Sequence, residues 1–366
     1  MKHPTVTSLF CGIGGLDLGF RKAGFNILWA NDFSENAIKS YNQNSSDSAI
    51  CADITQTPIS QIPYADVIVG GPPCQSFSLM GMRRPNDKRG ALVFKFFDII
   101  KEKRPKAFLM ENVPGMAASE INGKRLPFHL IAKFKKLGYK AVLLKLCATD
   151  YLVPQKRVRL FIVGTKNKNY DAPDPVRFAQ ECYQISRGDY DIGAKAAIGD
   201  LGKCVARGKQ ASYRCAPHSQ FSTLMREKGL SSVSLHECPT MSETDKQLIQ
   251  HIPPGGNYMD IPDAIAPGRV KKYKITGGRT TTYARLHPQK PSYTVNTYFR
   301  RPNVGSNFHY SAQRLITARE ALRFQSFPDH FELVYDTQQE RNTFIGNAVP
   351  PLMAHALAWQ LKRVLD

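Results

Sequence analysis

The sequence predicts a doubly wound α/β fold on a mixed sheet, carrying a second, smaller and irregular domain. From residue 5 to about 165, short apolar runs alternate with amphipathic segments, the pattern of strands covered by helices. Two of those runs end on glycine-rich turns, at Phe10–Gly15 and Val69–Pro73, and an open sheet gathers its ligand chemistry at such an edge. Around residue 168 the rhythm stops. Until about 330 the chain is broken by clusters such as Pro253-Pro254-Gly255-Gly256 and Thr276-Gly277-Gly278, which mark a mostly non-helical second domain.

Taken in order, strands are expected over Val6–Phe10, Ile27–Ala30, Ala65–Val69, Ala107–Glu111, Ala141–Leu146 and Leu160–Gly164. Helices are expected over Gly15–Ala23, Glu35–Asn42, Leu92–Lys103 and Pro127–Leu137, the last stopped by Gly138. Helical patterning resumes after Arg319, and Pro350–Leu365 reads as a terminal amphipathic helix opened by prolines. The boundaries this suggests are 1–170 plus 335–366 for one domain and 171–334 for the other.

The 366 residues carry 50 Lys+Arg against 30 Asp+Glu, a formal charge of +20, so a polyanion is the first partner to consider. Arg269, Lys271, Lys272, Lys274, Arg279, Arg285, Arg300 and Arg301 are interleaved with Tyr273, Tyr283, Tyr293, Tyr298 and Phe299. That mixture suits phosphate contacts plus stacking, and it also suits a solvated loop surface. No run approaches the roughly 18 apolar residues of a membrane span, and no signal-peptide pattern opens the chain. Eight scattered cysteines without a CxxC pair fit reduced thiols and a cytoplasmic setting. Cys215-x-x-His218 and His236-x-Cys238 could supply four zinc ligands, but the spacing matches no common structural site, and no metal is expected.

Phe10-Cys11-Gly12-Ile13-Gly14-Gly15 follows the first strand and opens the first helix. Backbone can approach a ligand closely there, and a helix start offers N–H donors. Asp32 closes the second strand and Asp53 an apparent third, each placed to accept hydrogen bonds from a nucleoside, as acids do in such folds. Phe33 is placed to stack on a base. No GxxxxGK[ST] loop is present, which disfavours a triphosphate.

At the chemical end, Gly70-Gly71-Pro72-Pro73 bends and stiffens a turn that carries Cys74. An isolated cysteine in such a loop is more often structural than reactive. Glu111 ends the fourth run and adds a carboxylate to the same edge. Period-two spacing puts Arg157 and Arg159 on one side of an extended segment, where both could meet an anionic or carbonyl oxygen.

With these residues assembled, the chain resembles the DNA (cytosine-5) methyltransferases of the bacterial restriction-modification type. The matching segments are FxGxGG at Phe10–Gly15, Asp32 and Asp53, PCQ at Pro73–Gln75, Arg89-Gly90-x-Leu92 and ENV at Glu111–Val113. They continue with QxRxR at Gln155–Arg159, PSYTV at Pro291–Val295, Arg319-Glu320 through Phe327-Pro328, and GNAVP at Gly346–Pro350. They cover nearly the whole chain outside about 170–285.

The resemblance implies a Rossmann-like fold that uses S-adenosylmethionine, releases S-adenosylhomocysteine and needs no metal. It implies Cys74 as nucleophile on carbon 6 of cytosine, Glu111 on the ring N3 and amine, Arg159 on O2, and Arg157 supporting the loop and a backbone phosphate. Around the cofactor it implies Phe10, Gly12 and Gly15, then Asp32, Phe33, Asp53, Ile54, Pro73, Leu92, Asn347 and Ala348. The last two require the terminal helix to fold back beside the first strand. The family usually has Glu where Asp32 stands and Gly where Ala52 stands.

Chemistry on a base inside a duplex requires flipping it out, and 78–89 matches the family's closing loop, with Ser78 and Arg83 as DNA contacts. Sequence reading falls to about 170–285, with Arg269, Lys271, Lys272, Arg279 and Arg285 as candidates. The resemblance further implies duplex DNA as partner, a monomer acting in the bacterial cytoplasm, and a cognate restriction endonuclease at the same site. Two other readings are a tRNA cytosine-5 methyltransferase, from a branch of the same family, and a catalytically silent DNA-binding regulator.

Overall fold

The computed structural model describes residues 3–45, 49–73, 88–121 and 123–365, without the side chains of 88–90 and 187. The chain divides into two compact units, Met1–Tyr151, Val158–Tyr183 and Val349–Asp366 in the first, Leu152–Arg157 and Gln184–Ala348 in the second.

The first unit is built on β1 (Thr5–Leu9), β2 (Asn26–Asp32), β3 (Ala49–Cys51), β4 (Val67–Gly70), β5 (Ala107–Asn112), β6 (Lys140–Cys147) and β7 (Val158–Thr165). They lie in the order β3-β2-β1-β4-β5-β7-β6. Pairing is parallel except at β7, which runs antiparallel to both β5 and β6. Chain order reverses between β1 and β4, where Leu9 pairs with Gly70, so the loops leaving those strands open side by side.

Four helices connect the strands: α1 (Gly15–Lys22), α2 (Glu35–Gln43), α3 (Lys88–Lys103) and α4 (Leu126–Lys136). Strands β4 and β5 are apolar without a break from Val67 to Val69 and from Ala107 to Met110 because both faces are buried. Ile68, Phe108, Met110, Leu160 and Ile162 pack with Phe96, Phe97 and Ile100 of α3 and Leu130 and Phe134 of α4. The alternate residues Val67, Val69, Leu109, Phe161 and Val163 are equally buried and face the other way. The terminal helix Pro351–Leu365 packs on α1 so tightly that a Cβ at Gly19 would come within 2.4 Å of the Ala354 Cβ.

In the second unit the paired segments are two residues long: Ala211–Ser212 with Ser232–Val233, and Ser292–Tyr293 with Gln155–Lys156. Short helices add order, among them Gly268–Thr276, Ala318–Phe324 and Gln338–Asn347. A small core gathers Leu248, Ile252, Tyr258, Val270, Phe308 and Leu315.

Buried arginine supplies much of the rest. Arg323 is fully buried and binds Asp329 at 2.8 and 2.6 Å, Asp200, and the Ala197 carbonyl. Arg319, equally buried, donates to the carbonyls of Ser234, Pro328 and Phe331.

Cys204 and Cys238 are joined in a disulfide, which corrects the expectation of reduced thiols throughout. The cause is local: Val205 bridges Glu237, the Cys238 N–H donates to the Val205 carbonyl, and the two Cα atoms come within 4.9 Å. His236 bonds Thr317 and the Gly202 carbonyl, and His218 the Lys195 carbonyl. Among the described residues no three His, Cys, Asp or Glu side chains converge as metal ligands, and no helix is long and apolar enough to cross a membrane.

Candidate active site

The loop after β1 bends through left-handed backbone at Phe10 (φ 55°), Gly12 (φ 54°) and Gly14 (φ 85°). A Cβ on Gly14 would sit 2.8 Å from the Tyr41 ring, whereas one on Gly12 would meet nothing within 4 Å. The loop is therefore packed on one side and open on the other. Gly15 begins α1, and Gly14 at the N-cap offers the first turn no side chain. Asp17 anchors that turn from beneath, accepting from the Ser8 hydroxyl at 2.7 Å and the Tyr41 hydroxyl at 2.8 Å.

Asp32 ends β2 and faces this loop. Its carboxylate accepts the Gly12 N–H at 2.9 Å and the Ser34 N–H at 3.0 Å. Burial pushes its pKa up, and those N–H bonds hold it back. Phe33, its neighbour, is 76% exposed, an unusual cost for a large aromatic ring. Asp53 accepts both the N–H and the hydroxyl of Thr55, which hold its pKa down. The Ile54 side chain is buried in the core beneath β1 and β4, and Leu92 packs partly buried against the same core.

Glu111 and Arg159 form an ion pair of 2.9 Å between Oε1 and Nε, each side chain about nine-tenths buried. Register explains their meeting: Phe161 pairs with Glu111, so Arg159 lies one diagonal away on the adjacent strand. Burial lowers the Arg159 pKa, with Glu111 opposing it. The turn after β4 lies directly against this pair. A Cβ on Gly71 would come within 3.1 Å of Glu111 Oε2, and the Asn112 amide donates to the Pro72 carbonyl at 3.0 Å. Pro73 is the last residue of that turn within the description; Cys74, Ser78 and Arg83 lie outside the described residues.

Other expected residues fall elsewhere. Arg157 is fully buried and donates to the carbonyls of Val295, Gly346 and Ala348. Expected to support the loop and a backbone phosphate, it here serves backbone acceptors of its own unit, directly after Gln155–Lys156, which pairs with Ser292–Tyr293. Arg285, expected as a DNA contact, donates to five carbonyls, those of Ile249, Ile252, His309, Ser311 and Ala312. Asn347 ends the helix Gln338–Asn347, and Ala348 follows it in the second unit. Arg269, Lys271, Lys272 and Arg279 are exposed, and Arg269 donates to the Tyr273 hydroxyl at 2.8 Å.

Three features were not read from the sequence. One is the Asn112 bond to Pro72, for which the ENV triplet is the only signal. Another is the buried Asp17, two residues into α1, where an acid in an apolar stripe is a visible anomaly. The third is a cavity of about 510 Å³ in the second unit, lined by Arg207, Arg300, Arg301 and Arg341, residues far apart in the chain. Arg341 there is held by Glu237 at 2.9 Å.

The mixed sheet with a glycine loop and an acid-arginine pair at one edge defines a methyltransferase-type α/β protein. The fold agrees with that of a prophage-encoded E. coli protein assigned as a DNA modification methyltransferase, at a TM-score of 0.74 and 23% identity over 99% of both chains. The profile of the C-5 cytosine-specific DNA methylases matches residues 5–363, and the chain belongs to that family. It is 30% identical to the type II methyltransferase M.AgeI of Thalassovita gelatinovora, over 97% of this chain and 98% of that one. It is 32% identical to the type II methyltransferase M.MthTI of Methanothermobacter thermautotrophicus, over 99% and 98%. The chain is a DNA (cytosine-5-)-methyltransferase, and its family depends on S-adenosylmethionine.

Proposed function

We propose that the chain is a type II modification enzyme that methylates carbon 5 of a cytosine flipped out of duplex DNA at one short sequence, through a covalent adduct on Cys74. The observation that carries this reading is the buried Glu111–Arg159 pair directly against the turn that leads to Cys74. A target base has to be met by hydrogen-bonding groups in a dry pocket, and this pair supplies one acceptor and one donor.

Carbon 5 of cytosine is a weak nucleophile. Addition of the Cys74 thiolate at carbon 6 converts the ring to an enamine that is nucleophilic at carbon 5. Glu111 holds N3 and the exocyclic amine and delivers the proton that N3 takes as the sulfur adds. In the free enzyme Arg159 neutralises Glu111 and so opposes the protonated carboxyl this step needs. On binding, the cytosine O2 draws Arg159 away from Glu111, and the carboxylate is then free to take up a proton. Removal of the carbon-5 proton by a base expels Cys74, and N3 returns its proton to Glu111, restoring the neutral aromatic ring.

S-adenosylmethionine, when bound, supplies the electrophilic methyl group. The residues present fit it: Gly12 leaves open space, Asp32 stands beside the loop for ribose, and the exposed Phe33 is available to the adenine. Phe10, Gly15, Asp53, Ile54, Pro73, Leu92, Asn347 and Ala348 complete the proposed set. The exposed Arg269, Lys271, Lys272 and Arg279, with the arginine-lined cavity, are proposed to contact DNA in a target-recognition unit. A restriction endonuclease acting on the same sequence is the expected partner.

The test combines Cys74→Ala with bisulfite mapping of unmethylated plasmid treated with enzyme and S-adenosylmethionine. The parent should mark cytosines in a single short consensus and the variant none. Methyl transfer by the variant would sink the mechanism, and randomly scattered marks would sink the sequence-specific assignment.

A further inference from the structure

The first unit also carries a dense positive surface at the sheet edge opposite the glycine loop. Ala107 of β5 pairs with Thr165 of β7, and Thr165 pairs with Lys140 of β6, so the starts of β5 and β6 and the end of β7 share that edge. Helices α3 and α4 end there too, each just before the strand it precedes. Lys101, Arg104, Lys135, Lys140 and Lys168 are exposed on it, with Lys166 half-buried among them.

Cations at helix C-termini offset the helix dipole, which accounts for Lys101 and Lys135. It does not account for Lys140, Lys166 and Lys168, which come from strand ends. These charges are also crowded. Lys166 donates to the Arg104 carbonyl at 2.6 Å, and both cations sit about 6 Å from the ring centre of Tyr139, at 5.9 and 6.0 Å. Asp66 is committed to Lys106 at 2.8 Å. A recess of about 30 Å³ lined by Lys106, Thr165, Lys166 and Lys168 opens between them.

We propose that this edge binds a second segment of duplex DNA, without regard to sequence, while the opposite edge works on the first. The enzyme's substrate is DNA, so the polyanion at hand is a duplex. The six residues of β5 set the two edges about 17 Å apart at the usual strand rise, at opposite ends of the same strand, so a duplex docked against one edge leaves the other uncovered. Residues 101–106, 135–140 and 165–168 include no exposed large apolar side chain, such as a membrane-inserting face presents. A second, sequence-blind contact keeps the enzyme on long DNA between target sites.

A sandwich assay tests this without depending on turnover or on the target sequence. Protein bound to an immobilised 30-base-pair duplex is challenged at low salt with a second, labelled duplex. The parent should retain the label. K101Q/K135Q/K140Q/K168Q, and separately K135E/K168E, should bind the immobilised duplex within twofold of the parent and retain at least fivefold less label. The salt dependence of second-duplex capture should fall by about 0.9 per phosphate contact removed. No capture by the parent, or undiminished capture by both variants, overturns the proposal. Tighter capture of an RNA hairpin or of phosphatidylserine vesicles than of the second duplex overturns the assignment to DNA.

Discussion

In the first unit, strands β4 and β5 satisfy their backbone N–H and C=O groups through neighbouring strands. In the second, where paired segments are two residues long, arginine does that work from within. Arg157, Arg285 and Arg319 together donate to eleven carbonyls. Irregular backbone leaves acceptors that a rigid fork of five N–H donors can collect several at a time. Part of the chain's positive charge is thus internal scaffolding, and it overstates the charge available to a polyanion.

Arg157 and Arg159 stand two residues apart on either side of this divide, and replacing each by lysine separates the two uses. Arg159→Lys should lower kcat by about 10²-fold, the usual effect of losing one aimed donor, with little change in the denaturation midpoint. Arg157→Lys should do the reverse, costing about 1–3 kcal/mol as carbonyls lose their partners, measured by urea unfolding. If both variants lost stability equally, the distinction would collapse.

Arg323→Met leaves Asp329 buried without its counter-ion and Asp200 with only Arg226, 3.6 Å away, and should cost about 3–5 kcal/mol. Adding Asp200→Asn and Asp329→Asn should recover much of that loss, since the penalty lies in the orphaned charges.

Acid should weaken both units by one mechanism. Burial holds His309 at a pKa of about 4 and His355 at about 3, with Arg314, His236 and Arg285 disfavouring the charged His309, Glu320 favouring it, and Lys22 disfavouring charge on His355. The unfolded chain therefore binds protons first. This stabilisation is fully present above about pH 6.5 and is lost as pH falls toward the folded values, by up to about 3 kcal/mol for His309 and about 5 kcal/mol for His355. His309→Gln should flatten the second unit's share of that slope in thermal melts.

The smallest effects contrast a buried cation with an exposed one. Arg285→Lys should cost about 1–2 kcal/mol and leave DNA affinity unaltered. Lys271→Ala should move stability by less than about 0.5 kcal/mol and reduce the salt slope of DNA binding by about 1.

The same divide decides what could be read from the sequence. Strands buried on both faces announce themselves as apolar runs, so β4, β5 and β7 were legible, as was the glycine loop. β3 showed only as an apparent strand closed by Asp53, without bounds, because only Ala49 of its three residues is buried. Glu111 and Arg159 were legible as types at a spacing, but their pairing depends on the register of β5 and β7. Arg157 carries the same spacing signal as Arg159, and only tertiary packing distinguishes a carbonyl clamp from a base contact. Cys204 and Cys238 stand 34 residues apart, and no local pattern foretells the bridge that joins their segments.

The contact between Gly19 and Ala354 has a consequence for synthesis. One face of α1 stays bare until the terminal helix arrives, and that helix is made only after the whole second unit. At roughly 5–20 residues per second, a ribosome leaves the first unit unfinished for many seconds while the second is being completed. The order of translation thus delays a finished methyl-transfer edge until the unit proposed to choose its target has been made.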